Sequence, residues 1–212
     1  MSHDRHPHHV RHVPLESLRP TQITVGKQEV RDKCREWATL ARQARRERLA
    51  SHVFPAVLGP RQQIYIIDHH HLGLALLRER VTEVWVAMLD DLSGVDRDLF
   101  WRVMEFRSWA HPFDARGRRR DYRRIPRRLQ DLQDDPYRSL AARVREAGGY
   151  AKSPVPFAEF LWADYLRTRI DTAQLRRRPR RALREALDLA RSSRASFLPG
   201  WSGDVRQPDP TE

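Results

Sequence analysis

At 212 residues and 40% hydrophobic composition, the chain is long enough for one sizeable domain and polar enough to be soluble. No apolar run approaches the roughly 20 residues of a membrane span. The single cysteine, Cys34, excludes a disulfide framework or a zinc-thiolate site within one chain. Because the polar beginning has no apolar signal core, we expect a cytoplasmic protein without a membrane partner.

Positive charge dominates the composition. The formal net charge is +12, and 37 of the 40 basic residues are arginine. A coding bias can exchange lysine for arginine, but it does not produce an excess of positive charge. This excess favours anionic partners such as nucleotides or nucleic acid.

The first half of the chain predicts a mixture of strands and helices. Residues 1–12 hold five of the ten histidines and are predicted to form a disordered tail. An α+β domain is predicted over 13–110. It begins with extended segments around Pro14 and Pro20, because proline is excluded from helix interiors. A helix with one apolar and one arginine-rich face is predicted over 28–51.

A hairpin and two strand–helix units follow this helix. Gly59 and Pro60 form the turn of the hairpin, since two apolar β-rich runs flank them. The last helix is expected to turn Leu99, Val103 and Phe106 towards the core, with Met104 as a further candidate. The predicted elements are strands 53–58 and 63–67, helix 70–80, strand 84–89 and helix 95–110.

Residues 111–128 form the densest cationic segment and are predicted to be a loop, because Gly117 and Pro126 interrupt any helix. Two interpretations remain open for this segment, namely a solvated run of charge and a loop that contacts phosphate groups. The candidate nucleic-acid contacts are Arg118, Arg119, Arg120, Arg123 and Arg124.

The C-terminal half predicts helices. Over 129–191 we expect a helical part packed on the first domain, with one helix capped by Asp135 and opened by Pro136. A helical pattern over 172–191 breaks at Pro179. A flexible tail is predicted over 192–212. The resulting fold class is α+β, a small mixed sheet with an α-helical C-terminal half.

The most informative stretch is a polar corner between a strand and a helix. An apolar β-rich run over 64–67 is followed by Asp68, then by three consecutive histidines, and then by a helix-period apolar run. Such a corner presents backbone N–H groups and the positive end of a helix dipole. Asp68 is predicted to be the N-cap of the helix.

The corner supplies the candidate catalytic residues Asp68, His70 and His71. Adjacent histidines at a helix start point in different directions, so all three cannot serve one site. One hypothesis is proton transfer, and another is a divalent metal ion held by Asp68 and His70. The structural alternative is that the imidazoles cap or pack. Lys152, in a glycine-rich turn, is either a phosphate-binding residue or an ordinary surface lysine.

Several segments together resemble the ParB/sulfiredoxin superfamily. They are Val13–Gln22, with its Leu-Arg-Pro-Thr-Gln end, Phe54–Val57, and Ile64–Ala75, which contains Asp-His-His-His. With Asp-Asp-Pro-Tyr-Arg-Ser-Leu and Gly-Gly-Tyr-Ala-Lys, they resemble the branch of ParB-like nucleases over residues 13–170. The resemblance implies an α+β fold that binds nucleotide phosphates at the corner, and nuclease or phosphoryl-transfer chemistry.

The corner of the superfamily carries over residue by residue. Asp68, His70 and His71 match its Asp and its two His, whereas its Gly is His69 and its Arg is Leu72 here. Losing that arginine removes a bidentate phosphate contact, which weakens the case for tight triphosphate binding. Sulfiredoxins need a cysteine at the corner, where this chain has none.

Thr21 and Gln22 stand where the serine kinases of the superfamily have an acid. A glutamine cannot act as a general base, which disfavours the kinase activity. The candidate substrate-binding residues are Thr21, Gln22, His69 and Lys152.

Three functions remain open at this point. The first is an enzyme acting on a phosphate ester, either a nuclease or a phosphoryl-transfer enzyme. The second is a non-catalytic nucleotide- or DNA-binding module that uses the same corner as an anion cradle. The third is an enzyme acting on a small phosphorylated metabolite. The sequence assigns neither an oligomeric state nor an individual substrate.

Overall fold

The computed structural model describes residues 10–203, so most of the predicted histidine-rich tail and the end of the predicted C-terminal tail lie outside it. The described residues confirm an α+β fold. Two compact units divide the chain between Asp134 and Asp135. None of the helices described between residues 10 and 203 has the length and apolar character needed to cross a membrane. The elements are β1 (Val10–Pro14), β2 (Thr24–Val25), α1 (Lys27–Thr39), α2 (Arg42–Ser51), β3 (Phe54–Gly59), β4 (Gln63–Ile66), α3 (His70–Arg78), β5 (Glu83–Asp91), α4 (Arg97–Phe106), β6 (Gln133–Asp134), α5 (Pro136–Glu146), α6 (Ala158–Arg167), α7 (Thr172–Arg177) and α8 (Pro179–Arg191).

A four-stranded mixed sheet with the order β1-β5-β3-β4 forms the centre of the first unit. Strand β5 runs antiparallel to β1 and parallel to β3, and the predicted hairpin pairs β3 with β4. Arg19 continues the sheet beyond β4, because its N–H donates to Ile64 O at 2.9 Å and its C=O accepts from Ile66 N at 2.9 Å. The chain before β2 is thereby held against the strand that leads into the corner.

Both faces of the sheet are covered, which explains why β3 is apolar throughout its length. Phe54 and Ile66 belong to a core that also contains residues of α1 and α3. Val57 belongs to a second core on the other side, with Phe100 and Met104 of α4. The corner therefore joins two elements, β4 and α3, that are each fixed by buried apolar contacts.

The single helix predicted over 28–51 is wrong, because α1 ends at Thr39 and α2 begins at Arg42. Leu40 and Ala41 are extended, with ψ of 133° and 159°. The bend lets Leu40 and Leu49 pack against the main core although α2 has no fully buried residue. Burial of apolar surface thus outweighs the helix propensity of the arginine-rich segment.

The predicted core face of α4 is also wrong in part. Met104 is buried as expected, but Leu99 and Phe106 are exposed by 48% and 90%. Phe100 and Trp101 are buried instead, and Phe100 fills space that a side chain at Gly59 would occupy. Because Gly59 of β3 has no side chain, Phe100 packs against it, and this contact sets which face of α4 is buried.

Both terminal boundaries lie further out than predicted. Residues 10–12 belong to β1, because they pair with Trp85, Val86 and Ala87 of β5. In the second unit Leu198 is buried in the core, and Trp201 packs against that core. Sheet pairing therefore orders the first of these two stretches, and apolar burial orders the second.

The predicted helix boundaries of the second unit are confirmed at two positions. The Asp135 side chain accepts a hydrogen bond from Tyr137 N at 3.0 Å, and Pro136 opens α5. Pro179 separates α7 from α8. The core of this unit contains Trp162, which stacks on Tyr150 with ring centroids 4.1 Å apart.

Candidate functional site

The corner between β4 and α3 has the predicted location but a different cap. The N-cap residue is His69, and the helix has no side-chain capping hydrogen bond. Asp68 lies one residue too early, and its Oδ1 accepts a hydrogen bond from His69 N at 2.6 Å. The prediction that Asp68 caps the helix is therefore wrong, and its exposed carboxylate holds the preceding turn.

His69 adopts the left-handed backbone conformation, with φ 64° and ψ 22°. Glycine adopts this conformation without steric cost, whereas other residues do so rarely. Its ring meets the Phe54 ring edge-on at 5.6 Å. The turn thus keeps the geometry that glycine favours although a histidine occupies it, and the ring contact helps to hold it there.

His70 is buried, with 4% of its surface exposed. Its Nε2 atom accepts a hydrogen bond from the backbone N–H of Thr21 at 3.1 Å. The Thr21 hydroxyl donates to Ile66 O at 2.9 Å, so this contact joins three segments. An imidazole nitrogen that accepts an N–H uses its lone pair, and the same atom cannot then take a proton or bind a metal ion.

His71 makes two contacts that require opposite protonation states. Its Nε2 lies 2.9 Å from Gly26 N and 3.3 Å from Glu29 Oε2. We assign the lone pair of Nε2 to Gly26, because a backbone N–H can only donate. The contact with Glu29 becomes favourable only when the ring is protonated, and Lys33 Nζ lies 3.6 Å from the other carboxylate oxygen.

Glu29 is the residue of this site that sequence reasoning missed. It lies in the first turn of α1, and its side chain is exposed by only 17%. A single glutamate at a helix start is common, because acids stabilise the positive end of the helix dipole. The sequence therefore carried no signal beyond its position after the proline-containing segment.

Three of the predicted substrate-binding residues, Thr21, Gln22 and His69, lie in the first unit. Thr21 is buried and contacts His70, as described above. Gln22 is exposed by 7%, and its amide nitrogen donates to Thr24 O at 2.7 Å. Lys152 is exposed in the second unit, and its role stays a prediction.

The metal site predicted at Asp68 and His70 stays a prediction. His70 Nε2 is committed to Thr21, and Asp68 faces His69 N. Within residues 10–203 no three His, Cys, Asp or Glu side chains converge as ligands would. We therefore derive no step through a metal ion at this pair.

The arginine-rich segment divides into paired and unpaired side chains. Arg119 makes a bidentate ion pair with Glu105, at 2.9 and 2.6 Å, and Tyr122 donates to the same carboxylate. Hydrogen bonding from Arg119 holds the pKa of Glu105 below its ordinary value, although burial opposes this shift. Arg120 lies 3.5 Å from Asp114.

The remaining predicted nucleic-acid contacts carry exposed charge. These contacts are Arg118, Arg123 and Arg124. No carboxylate among residues 10–203 lies within ion-pair distance of their side chains. The backbone beneath them is held in place, because Asp114 Oδ1 accepts from Arg118 N at 3.1 Å and Asp121 Oδ1 from Arg123 N at 2.8 Å. These arginines therefore extend from an ordered loop.

Comparison with known proteins identifies a family and a similar solved structure. A family model described as "Putative ParB-like nuclease" matches residues 11–168. The chain is 46% identical to the protein of the crystal structure of Atu1540 from Agrobacterium tumefaciens, with a TM-score of 0.85. The match covers 92% of this chain and 98% of that one. No curated protein matches the chain.

Proposed function

This chain belongs to the ParB-like nuclease family, and from this premise we propose that it binds the phosphodiester backbone of nucleic acid through its first unit. The observation that carries the proposal is that Arg118, Arg123 and Arg124 extend from an ordered loop and have no acidic partner in the described chain. Arginine is suited to phosphate, because its planar guanidinium donates two parallel hydrogen bonds. The net charge of +12 supports the same class of partner.

The order of the loop strengthens this proposal over a merely solvated charge run. Tyr122 stacks on Trp101 with ring centroids 5.8 Å apart, and the ion pair of Arg119 with Glu105 fixes the loop on α4. Arginines on such a support lose less conformational freedom when they bind than arginines on a mobile tail. The paired arginines thus serve as a scaffold for the unpaired ones.

The geometry of the corner favours binding over catalysis. Both candidate histidines use Nε2 to accept a backbone N–H, from Thr21 and from Gly26. Proton transfer to a substrate through these atoms would first require that both hydrogen bonds break. The corner still contributes the positive end of the α3 dipole, which favours a phosphate group near it.

The first experiment compares two charge-matched triple variants by fluorescence anisotropy with a labelled oligonucleotide over a range of salt concentrations. Replacing Arg118, Arg123 and Arg124 by alanine should weaken binding about tenfold or more at low salt and lower the salt slope by about two to three. The control replaces Arg176, Arg177 and Arg180, which are exposed in the second unit. Equal losses in both variants, or binding that salt leaves unchanged, would contradict the proposal.

Phosphate-ester hydrolysis is the second candidate function. The contact between His71 and the half-buried Glu29, with the exposed Asp68 on the same corner, is the observation that favours it. Here Asp68→Asn separates the two candidates, because the amide oxygen can still accept from His69 N. Under the binding proposal the oligonucleotide affinity stays equal or rises slightly, since a negative charge is lost. Under hydrolysis, cleavage of the oligonucleotide stops.

A further inference from the structure

A pocket of about 560 Å³ lies beside β4 in the first unit. None of the candidate catalytic residues lines it. The charged and amide side chains that line it are Glu16, Arg19, Gln63, Arg127, Arg128 and Asp131. A cavity that is lined by three guanidinium groups and two carboxylates is suited to a charged ligand.

The position of Arg19 in this pocket is fixed by the sheet. Its backbone pairs with β4 through two hydrogen bonds, to Ile64 O and from Ile66 N, each 2.9 Å long. Its Nε donates to Gln63 Oε1 at 2.5 Å. Hydrogen bonds therefore hold both the backbone of Arg19 and the inner edge of its guanidinium group. Its terminal nitrogens make no hydrogen bond within the described part of the chain.

The ion pairs of the pocket leave a net charge of +1. Arg128 is neutralised by Asp131, with which it forms two hydrogen bonds of 2.8 and 3.1 Å. Arg19 and Arg127 then face the cavity together with Glu16, and residues 10–203 give none of these three an ion pair. A single positive charge on a cavity wall matches a ligand that carries one negative charge.

Tyr65 shows that further positive charge surrounds the same strand. Its ring packs against Phe100 and Trp101, and within the described chain its hydroxyl has no hydrogen-bond partner. Burial raises the pKa of this hydroxyl, so it stays a hydrogen-bond donor at neutral pH. The nearby guanidinium charges that oppose this rise belong to Arg19, Arg97, Arg127 and Arg61.

We infer that this pocket binds one phosphodiester monoanion of a nucleic-acid strand, with Arg19 and Arg127 as its cationic contacts. The inference deepens the proposed function and rests on it. A phosphomonoester carries a charge of about −1.5 to −2 at neutral pH, which exceeds the pocket charge and would face Glu16 unfavourably. A diester carries one charge only, and Glu16 therefore selects against terminal phosphates.

The test uses a thymidine dinucleotide, which has one phosphodiester and no monoester, titrated calorimetrically into the full chain. Arg127→Gln should weaken its binding roughly fivefold or more, because one charged contact to phosphate is lost. The control Arg177→Gln, exposed in the second unit, should leave the dissociation constant within about twofold. Arg127 is exposed and makes no ion pair in residues 10–203, so both variants should unfold at the wild-type temperature.

Glu16→Gln tests the selectivity. It raises the pocket charge by one, so affinity for thymidine 5′-monophosphate should rise several-fold and more than affinity for the dinucleotide. Equal gains for both ligands would overturn the selective role of Glu16. Dinucleotide binding that is absent, or that is unchanged in Arg127→Gln, would overturn the pocket.

The two proposals fail in different ways. If Arg127→Gln has no effect while long oligonucleotides still depend on Arg118, Arg123 and Arg124, the pocket is wrong and the proposed function stands. If long oligonucleotides do not bind the wild type with salt dependence, the proposed function is wrong. In that case Arg127-dependent dinucleotide binding would show a pocket for small phosphodiesters, and the inferred contact with a nucleic-acid strand would be overturned.

Discussion

The histidine corner at 68–71 and the arginine loop at 118–124 use their polar side chains in opposite ways. At the corner, His70 and His71 turn inward and accept hydrogen bonds from backbone N–H groups. In the loop, Arg119 is paired, whereas Arg118, Arg123 and Arg124 carry charge that no described acid neutralises. The comparison teaches that the partner of a polar side chain, more than its chemical type, indicates whether it supports the fold or binds a ligand.

The largest expected effect is on the stability of the corner. His70→Ala leaves the buried Thr21 N–H without its acceptor and opens a cavity, which should lower the free energy of unfolding by about 2–4 kcal/mol. Urea unfolding followed by tryptophan fluorescence measures this change. His52→Ala, which removes a half-buried imidazole at the end of α2, is the control and should cost less than about 1 kcal/mol. A stable His70→Ala protein that had lost oligonucleotide binding would reverse the comparison and make His70 a ligand-binding residue.

A smaller effect is expected from the backbone conformation of His69. The variants His69→Gly and His69→Ala both lose the ring contact with Phe54, so they differ only in the Cβ atom at a φ of 64°. The glycine variant should be more stable than the alanine variant by about 1 kcal/mol. In ordinary helices the order is reversed, because glycine stabilises a helix less than alanine does. Thermal unfolding of the pair measures the difference. An alanine variant that is the more stable of the two would show that the turn relaxes to a negative φ.

The smallest effect concerns the paired half of the arginine loop. Because the pKa of Glu105 is lowered in the folded protein, its ion pair contributes stability above the ordinary value of 4.5. That contribution is lost as the pH falls through the lower folded-state pKa. The wild type should therefore exceed Glu105→Gln by up to about 1 kcal/mol at pH 7, and the difference should vanish in acid. Urea unfolding at pH 7 and at pH 3 measures it, and a difference that does not depend on pH would contradict the ion pair.

Local patterns in the sequence predicted much of the fold and the place of the corner. The mixed α+β character, the hairpin of β3 and β4, and the cap at Asp135 all depend on neighbouring residues. The break after Thr39 did not follow from local pattern, because distant core contacts of Leu40 decide it. The exposed Phe106 likewise depends on the space at Gly59.

The roles of the site residues were harder to predict, because their partners are distant in sequence. Thr21 and Gly26 lie 49 and 45 residues before the histidines that accept their N–H groups. Glu105 lies 14 residues before Arg119. A sequence pattern identifies such side chains as polar and clustered, but the tertiary structure alone determines which of them remain exposed.

The hydrogen bond between Thr21 and His70 also bears on how the first unit opens. It joins the two ends of a stretch that contains α1, α2 and the strands β3 and β4 of the sheet, and both of its residues are buried. Its amide proton should therefore exchange with solvent deuterium only through large-scale opening, as core amides do. The hydrogen-exchange rate of the Thr21 amide thus reports on the cooperative opening of the entire first unit, although Thr21 lies outside every helix and strand.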